Sequence, residues 1–310
     1  MRYGARMKRR ERIRRAAGGE LVHLGLRGLS RAGRSLPVSR PRFHGVTVTR
    51  DVSYGAGLLD VYRPEKPRGV GVLYVHGGAF RILSKETHWI FGLALAREGY
   101  TVFNIDYRLA PANPYPAAHS DTAQAWLWLL DNAAAWGVNP ERLVVAGESA
   151  GGNLATALTL ATCTPRPEDF ARPVYARGVR PAAVLELCGL LRITERTPHP
   201  SRFIQDRLEE ACHAVMPGQE VGTLVDPLAA LASAPTERPM PPFFISIGSR
   251  DPLIDENREL AEILRSRGTR ADFHLHPGQP HAFQALVWSR ESRQNWRNTY
   301  AFLDEVIPGV

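Results

Sequence analysis

The chain has 310 residues, of which 44% are hydrophobic, 8% aromatic and 23% charged. This composition suits a globular protein with a sizeable core and excludes fibrous, collagenous and largely disordered classes. No run of about 18 apolar residues occurs, so no transmembrane helix is indicated. The net charge of +8 is uneven: residues 1–42 hold 13 Lys and Arg against Glu11 and Glu20, while the rest of the chain holds 26 basic and 29 acidic residues. A basic arm therefore precedes a slightly acidic body of 43–310.

The best apolar stretch of the arm, Leu21 to Leu29, is interrupted by His23, Gly25 and Arg27, which rules out the h-region of a secretory or twin-arginine signal. An Arg-rich, acid-poor arm also fits a mitochondrial transit peptide. With Ile13, Leu21 and Leu24 facing lipid it could lie on an anionic surface, so peripheral membrane contact through residues 1–42 is a further reading. The simpler reading is a solvated tail, or a helix packed near the entrance of a site as part of a cap. Tyr3 is the arm's single aromatic and the body is acidic, which argues against a nucleic-acid partner. Cys163, Cys188 and Cys212 are odd in number and far apart, so no disulfide framework and a reducing, cytoplasmic setting are expected.

From Phe43 the pattern becomes regular. Val46–Val48 and Leu58–Tyr62 alternate around Gly55 and Gly57 and predict an antiparallel pair. Apolar runs and helical patterns then alternate: a strand over Val70–Val75, a helix over 85–98, a strand over Tyr100–Ile105, a long helix over His119–Trp136, a strand over Leu143–Ala146 and a helix over 150–162. Strands follow over Ala182–Leu187, Phe243–Ile247 and Ala271–Leu275, with helices over 256–267 and 290–306. Continuous apolar strands separated by helices predict a mostly parallel sheet covered on both faces. No period of 20–50 residues repeats. The stretch 189–241 breaks the alternation, with only a weak helix near 203–215, and an insertion of that size usually covers a site.

The chemistry concentrates in two motifs. Gly147-Glu148-Ser149-Ala150-Gly151 follows the strand Leu143–Ala146 and opens the next helix, the strand-turn-helix elbow that lifts a nucleophilic serine out of the backbone. An ordinary turn with Ser149 as helix N-cap is the bland alternative. A dinucleotide-binding turn would need glycine where Ser149 stands. His76-Gly77-Gly78-Ala79-Phe80 follows the strand Val70–Val75. There the backbone N–H groups of Gly77 and Gly78, with that of Ala150, can stabilise the oxyanion that forms in acyl transfer. His76 precedes the serine and suits a role in holding this loop.

With Asp106-Tyr-Arg-Leu-Ala-Pro111, Asp251-Pro-Leu and His281-Ala-Phe following in order, the chain resembles the hormone-sensitive-lipase family of α/β-hydrolase esterases over about residues 70–162 and 241–285. The resemblance implies an eight-stranded, mostly parallel sheet, a cap over the site, and carboxylester hydrolysis without a cofactor. Ala79 stands where glycine is commoner and Glu148 where aspartate is commoner. Segment 189–226 matches nothing in the family.

In this fold the acid and then the base follow the serine in the chain. His274 and His276 sit in a strand pattern, whereas His281 lies in a loop free to reach Ser149. Asp251 directly follows the strand Phe243–Ile247 and is preferred to Asp255, which with Glu256 reads as a first-turn helix charge. The expected reaction is serine-based hydrolysis of small-molecule esters with short to medium acyl chains. An amidase or formamidase, a membrane-surface lipid esterase, and a ligand-binding protein that has lost catalysis are the alternatives. No C-x-x-C or H-E-x-x-H occurs, so neither metal nor cofactor is expected.

Overall fold

The computed structural model describes residues 25, 28, 30–194, 199, 201–216, 223–233, 236–307 and 309. The alternating runs form β1 (Val46–Ser53) and β2 (Leu58–Pro64), paired antiparallel. Then come β3 (Gly71–Val75), β4 (Thr101–Ile105), β5 (Leu143–Glu148), β6 (Ala183–Leu187), β7 (Phe243–Gly248) and β8 (Ala271–His276). They build one eight-stranded sheet in the order β1-β2-β4-β3-β5-β6-β7-β8. β2 lies antiparallel to β4, and β4, β3, β5, β6, β7 and β8 are parallel.

Every residue of β3 to β7 is buried, which is why these strands read as continuous apolar runs. Successive side chains alternate between faces. Val72, Tyr74, Val144 and Leu185 meet α1 (Trp89–Ala96) and α8 (Arg290–Val306). Leu73, Val75, Val145 and Ile245 meet α2 (Ala117–Asn132), α3 (Ala150–Cys163) and α7 (Ile254–Ser266). Phe103, Phe243 and Phe244 are fully buried between these layers, each contributing roughly 1.5–3 kcal/mol.

Two sequence expectations are corrected. The helix expected over 85–98 is α1 alone, Trp89–Ala96. Ahead of it, Ser84 N–H donates to Thr87 Oγ1 at 3.0 Å and Thr87 Oγ1 donates back to Ser84 O at 2.7 Å, closing a turn. Lys85 points inward, with Nζ 2.7 Å from Asp51 Oδ1, 2.9 Å from Asp60 Oδ1 and 3.1 Å from Glu86 Oε1. The helix expected to reach Trp136 ends at Asn132 and continues as a 3-10 turn, Ala133–Trp136. Two short helices went unread: α4 (Ala171–Ala176) and α6 (Pro227–Ser233).

The weak helix of the 189–241 stretch is α5 (Arg202–Val215). Glu210 Oε1 lies 2.7 Å from Arg81 Nη1, and Tyr115 N–H donates to Val215 O at 2.7 Å, so α5 packs against the loops after β3 and β4. In the arm, residues 30–35 are helical and dock on the segment before α1. Ser30 Oγ donates to Glu86 O and Thr87 O, both at 3.3 Å, and accepts from Trp89 Nε1 at 3.1 Å. Of the arm residues named above, Ile13, Leu21, His23, Leu24, Arg27 and Leu29 lie outside the described residues. Among the described residues no helix is long and apolar enough to cross a membrane, and the three cysteines form no disulfide.

Candidate active site

The carboxyl ends of the parallel strands converge along one edge of the sheet, where α/β folds assemble their sites. β3 delivers the His76–Phe80 loop, β5 delivers Ser149, β6 Cys188, β7 Asp251 and β8 His281.

Ser149 sits between β5 and α3 with φ 57° and ψ −116°, a left-handed, strained geometry costing on the order of 1–3 kcal/mol. The tightness of the turn explains the flanking glycines: a Cβ on Gly147 would fall 2.0 Å from Gly151 O. Although Ser149 occupies the N-cap position of α3, its side chain makes no capping bond. Its Oγ lies 2.9 Å from His281 Nε2, and His281 Nδ1 lies 2.8 Å from Asp251 Oδ2. A carboxylate only accepts, so Nδ1 carries the proton and Nε2 is left to accept from the serine. Asp251 is buried, and its other oxygen accepts Leu253 N–H at 2.9 Å. Asp255 is elsewhere: its side chain is 91% exposed and 3.6 Å from Arg258.

Burial works against the His281 imidazolium, but Cys188 and the hydrogen-bonded Asp251 carboxylate outweigh it and hold the pKa well above its ordinary value. His76 is the opposite case. Burial, then the neighbouring His88, push it down to about 3, so it is neutral. It stacks on Tyr107 at 4.2 Å between ring centres, its Nδ1 is 2.7 Å from Gly77 O, and its carbonyl accepts from Tyr107 Oη at 2.9 Å.

The loop that follows is wound left-handed at Gly78 (φ 111°), Ala79 (φ 53°) and Phe80 (φ 61°). It is pinned by Arg81 N–H donating to Gly78 O at 3.0 Å and Ala110 N–H donating to Phe80 O at 2.8 Å. Gly77 suits glycine, because a Cβ there would fall 2.8 Å from the backbone oxygen of Glu148 and 2.1 Å from its Oε2. Ala150 is the first residue of α3, where helix geometry leaves the N–H without an intrahelical acceptor. Gly77, Gly78 and Ala150 thus flank Ser149 from two elements.

Several neighbours escaped sequence reading. His88 Nε2 is 3.2 Å from Glu148 Oε2 and fixes that carboxylate behind Gly77. Glu256, expected as a first-turn charge, is buried and accepts Leu191 N–H at 2.7 Å and Arg192 N–H at 2.6 Å, tethering the chain after β6. Glu186, fully buried on β6, has its pKa pushed well up by burial and lies against Gly152 and Gly189. Cys188 neighbours His281, and burial pushes its thiol up to about 12. Only the fold brings these residues together; no spacing in the chain signals them.

Comparison with known proteins agrees with this architecture. A family model described as the alpha/beta hydrolase fold matches residues 72–285. The chain is 30% identical over 279 residues to the carboxylesterase NlhH of Mycobacterium tuberculosis, covering 86% of this chain and 83% of that protein. It is 28% identical over 239 residues to an ethyl acetate hydrolase of Pseudomonas putida, covering 73% and 71%. A crystal structure of a hormone-sensitive lipase from a metagenome library superimposes with a TM-score of 0.76 at 24% identity, covering 93% of this chain and 91% of that one. The eight-stranded sheet, the ordered motifs and these relatives together make the chain a member of the α/β-hydrolase fold family and, within it, of the carboxylesterases.

Proposed function

We propose that the protein hydrolyses carboxylic esters of short to medium acyl chains through an acyl-enzyme on Ser149. The observation that carries this is the unbroken chain Ser149 Oγ–His281 Nε2–Asp251, at 2.9 Å and 2.8 Å. His281 takes the Ser149 proton as the oxygen attacks the ester carbonyl, and Asp251 holds the imidazole tautomer and stabilises the imidazolium. The N–H groups of Gly77, Gly78 and Ala150 bind the oxyanion, with His76 and Glu148 supporting their loop. His281 then protonates the leaving alcohol and activates the water that releases the acid.

The acyl range rests on α5, held over the loops after β3 and β4 by Arg81 and Glu210. A narrowed pocket caps the gain of about 0.8 kcal/mol per buried CH₂. On p-nitrophenyl esters from C2 to C16, kcat/KM is expected to peak at the short end and to fall by roughly tenfold or more for the longest chains, once added CH₂ groups no longer find apolar contact. A rate still rising at C12–C16 would contradict the narrow pocket. The Pseudomonas relative, an ethyl acetate hydrolase, agrees with a small acyl group.

The arm is read as part of the cap. Ser30 and Trp89 tie it to the segment joining the His76–Phe80 loop to α1. Deleting residues 1–42 is expected to raise KM several-fold and to loosen chain-length preference, without a change in salt-sensitive liposome binding. Unchanged kinetics in a folded 43–310 protein would leave the arm a mere tail, and lost binding to anionic vesicles would make it a membrane contact.

A further inference from the structure

The turn after β6 sets a thiol beside the reacting histidine. Cys188 has a left-handed φ of 46°, and its N–H donates to Ser246 O at 2.9 Å. On either side, Ser149 N–H donates to Leu187 O at 2.9 Å and Leu190 N–H donates to Ser149 O at 3.0 Å, so serine and cysteine are carried on one laced pair of turns. Cys188, Glu148 and His281 each offer one ligand atom, and these three atoms lie within 4.8 Å of one another. Among the described residues, no other trio of His, Cys and carboxylate atoms clusters so tightly.

The geometry suits a small, thiophilic cation. Tetrahedral zinc, with bonds of about 2.0–2.3 Å, holds its ligand atoms roughly 3.4–3.7 Å apart. Glu148 Oε1 already lies 3.8 Å from His281 Nε2. Glu148 Oε2 is engaged by His88, which leaves Oε1 for the ion. Asp251 bonds Nδ1 of the same imidazole, the carboxylate–histidine arrangement that orients Nε2 toward a metal and raises its basicity. A donor set of thiolate, imidazole and carboxylate selects zinc-like ions over Mg²⁺ and Ca²⁺. The His281 side chain is 35% exposed, which gives the ion a route from the substrate side.

We propose that Glu148, Cys188 and His281 form an inhibitory site for a zinc-like divalent cation. The ion takes the Nε2 lone pair, the Cys188 sulfur and one Glu148 oxygen. The thiol proton is released to solvent as the sulfur–metal bond forms, and no atom changes oxidation state. Ser149 then has no acceptor for its proton, and hydrolysis stops until the ion is removed. The inhibition rests on the proposed role of His281; the binding does not, and this separates the two in the test.

Purified full-length protein is titrated with Co²⁺, whose thiolate complexes absorb in the near ultraviolet, and then with Zn²⁺ as competitor. In parallel, p-nitrophenyl acetate hydrolysis is followed with Zn²⁺, with Mg²⁺, and after EDTA. One equivalent of Co²⁺ is expected to raise the charge-transfer band and Zn²⁺ to remove it. Zn²⁺ should lower activity at least tenfold, reversibly with EDTA, while Mg²⁺ leaves it unchanged. Cys188→Ser and Cys188→Ala should lose the band and weaken Zn²⁺ inhibition at least tenfold relative to each variant's own metal-free rate. His281→Gln should lose tight Co²⁺ binding, a readout that needs no activity and also covers the case in which a cysteine variant does not fold. Absence of the band in the wild-type protein at millimolar Co²⁺, or binding undiminished in the variants, overturns the proposal. A band without any esterase activity would keep the site and remove the hydrolytic reading instead.

Discussion

Ser149→Ala is expected to lower kcat/KM for p-nitrophenyl acetate by roughly 10⁴- to 10⁶-fold, leaving only the residual assistance of substrate binding and the oxyanion donors. The protein should stay folded. Ser149 Oγ makes no helix cap, and alanine adopts the same left-handed turn with the same strain, so the loss of one partly exposed hydrogen bond to His281 costs about 1 kcal/mol or less. Thermal unfolding of the variant beside its kinetics separates loss of chemistry from loss of structure. A folded Ser149→Ala protein that keeps more than a trace of activity would remove the serine from its role.

Asp251→Asn should lower kcat by roughly 10⁴-fold, because an amide lets His281 adopt the wrong tautomer and withdraws the charge that stabilises the imidazolium. Asp255→Asn, at a 91% exposed side chain, should change kcat by less than about twofold, the scale of an exposed helix-end charge. The pH profile gives a second reading of the same bond. His281 acts as base only when neutral, so kcat/KM rises with pH through its pKa. That pKa is held above the ordinary imidazole value by groups that include Asp251, so the acid limb of the wild-type profile should lie above about pH 6.5. Removing the Asp251 charge favours loss of the imidazole proton, so the limb should move to lower pH in Asp251→Asn. A limb that stays in place, or moves upward, would mean that Asp251 does not stabilise the imidazolium.

How far the sequence carries depends on which physical signal each part leaves. β3 to β7 are legible because burial on both faces forces unbroken apolar runs such as Val72–Val75. The elbow and the His76 loop are legible because a strained turn and a close backbone approach admit little but glycine at Gly147 and Gly77. Residues 85–88 fall outside the helix expected over 85–98, because Asp51, Asp60 and Glu86 draw the Lys85 ammonium inward, a pairing that no spacing in the chain signals. At six and seven residues, α4 and α6 are too short to show a helical period. Cys188 and His88 carry no signal of their own, because their neighbours come from distant strands and depend on the register of the sheet.

The acyl-enzyme itself offers the most direct test of the central claim. Brief incubation with p-nitrophenyl acetate, acid quench and intact-mass analysis followed by peptide mapping should find one added acetyl group on the peptide containing Ser149. The adduct should turn over in wild-type protein and be absent from Ser149→Ala. An adduct on another residue, or steady hydrolysis with no acyl-enzyme formed at Ser149 under single-turnover conditions, would contradict it.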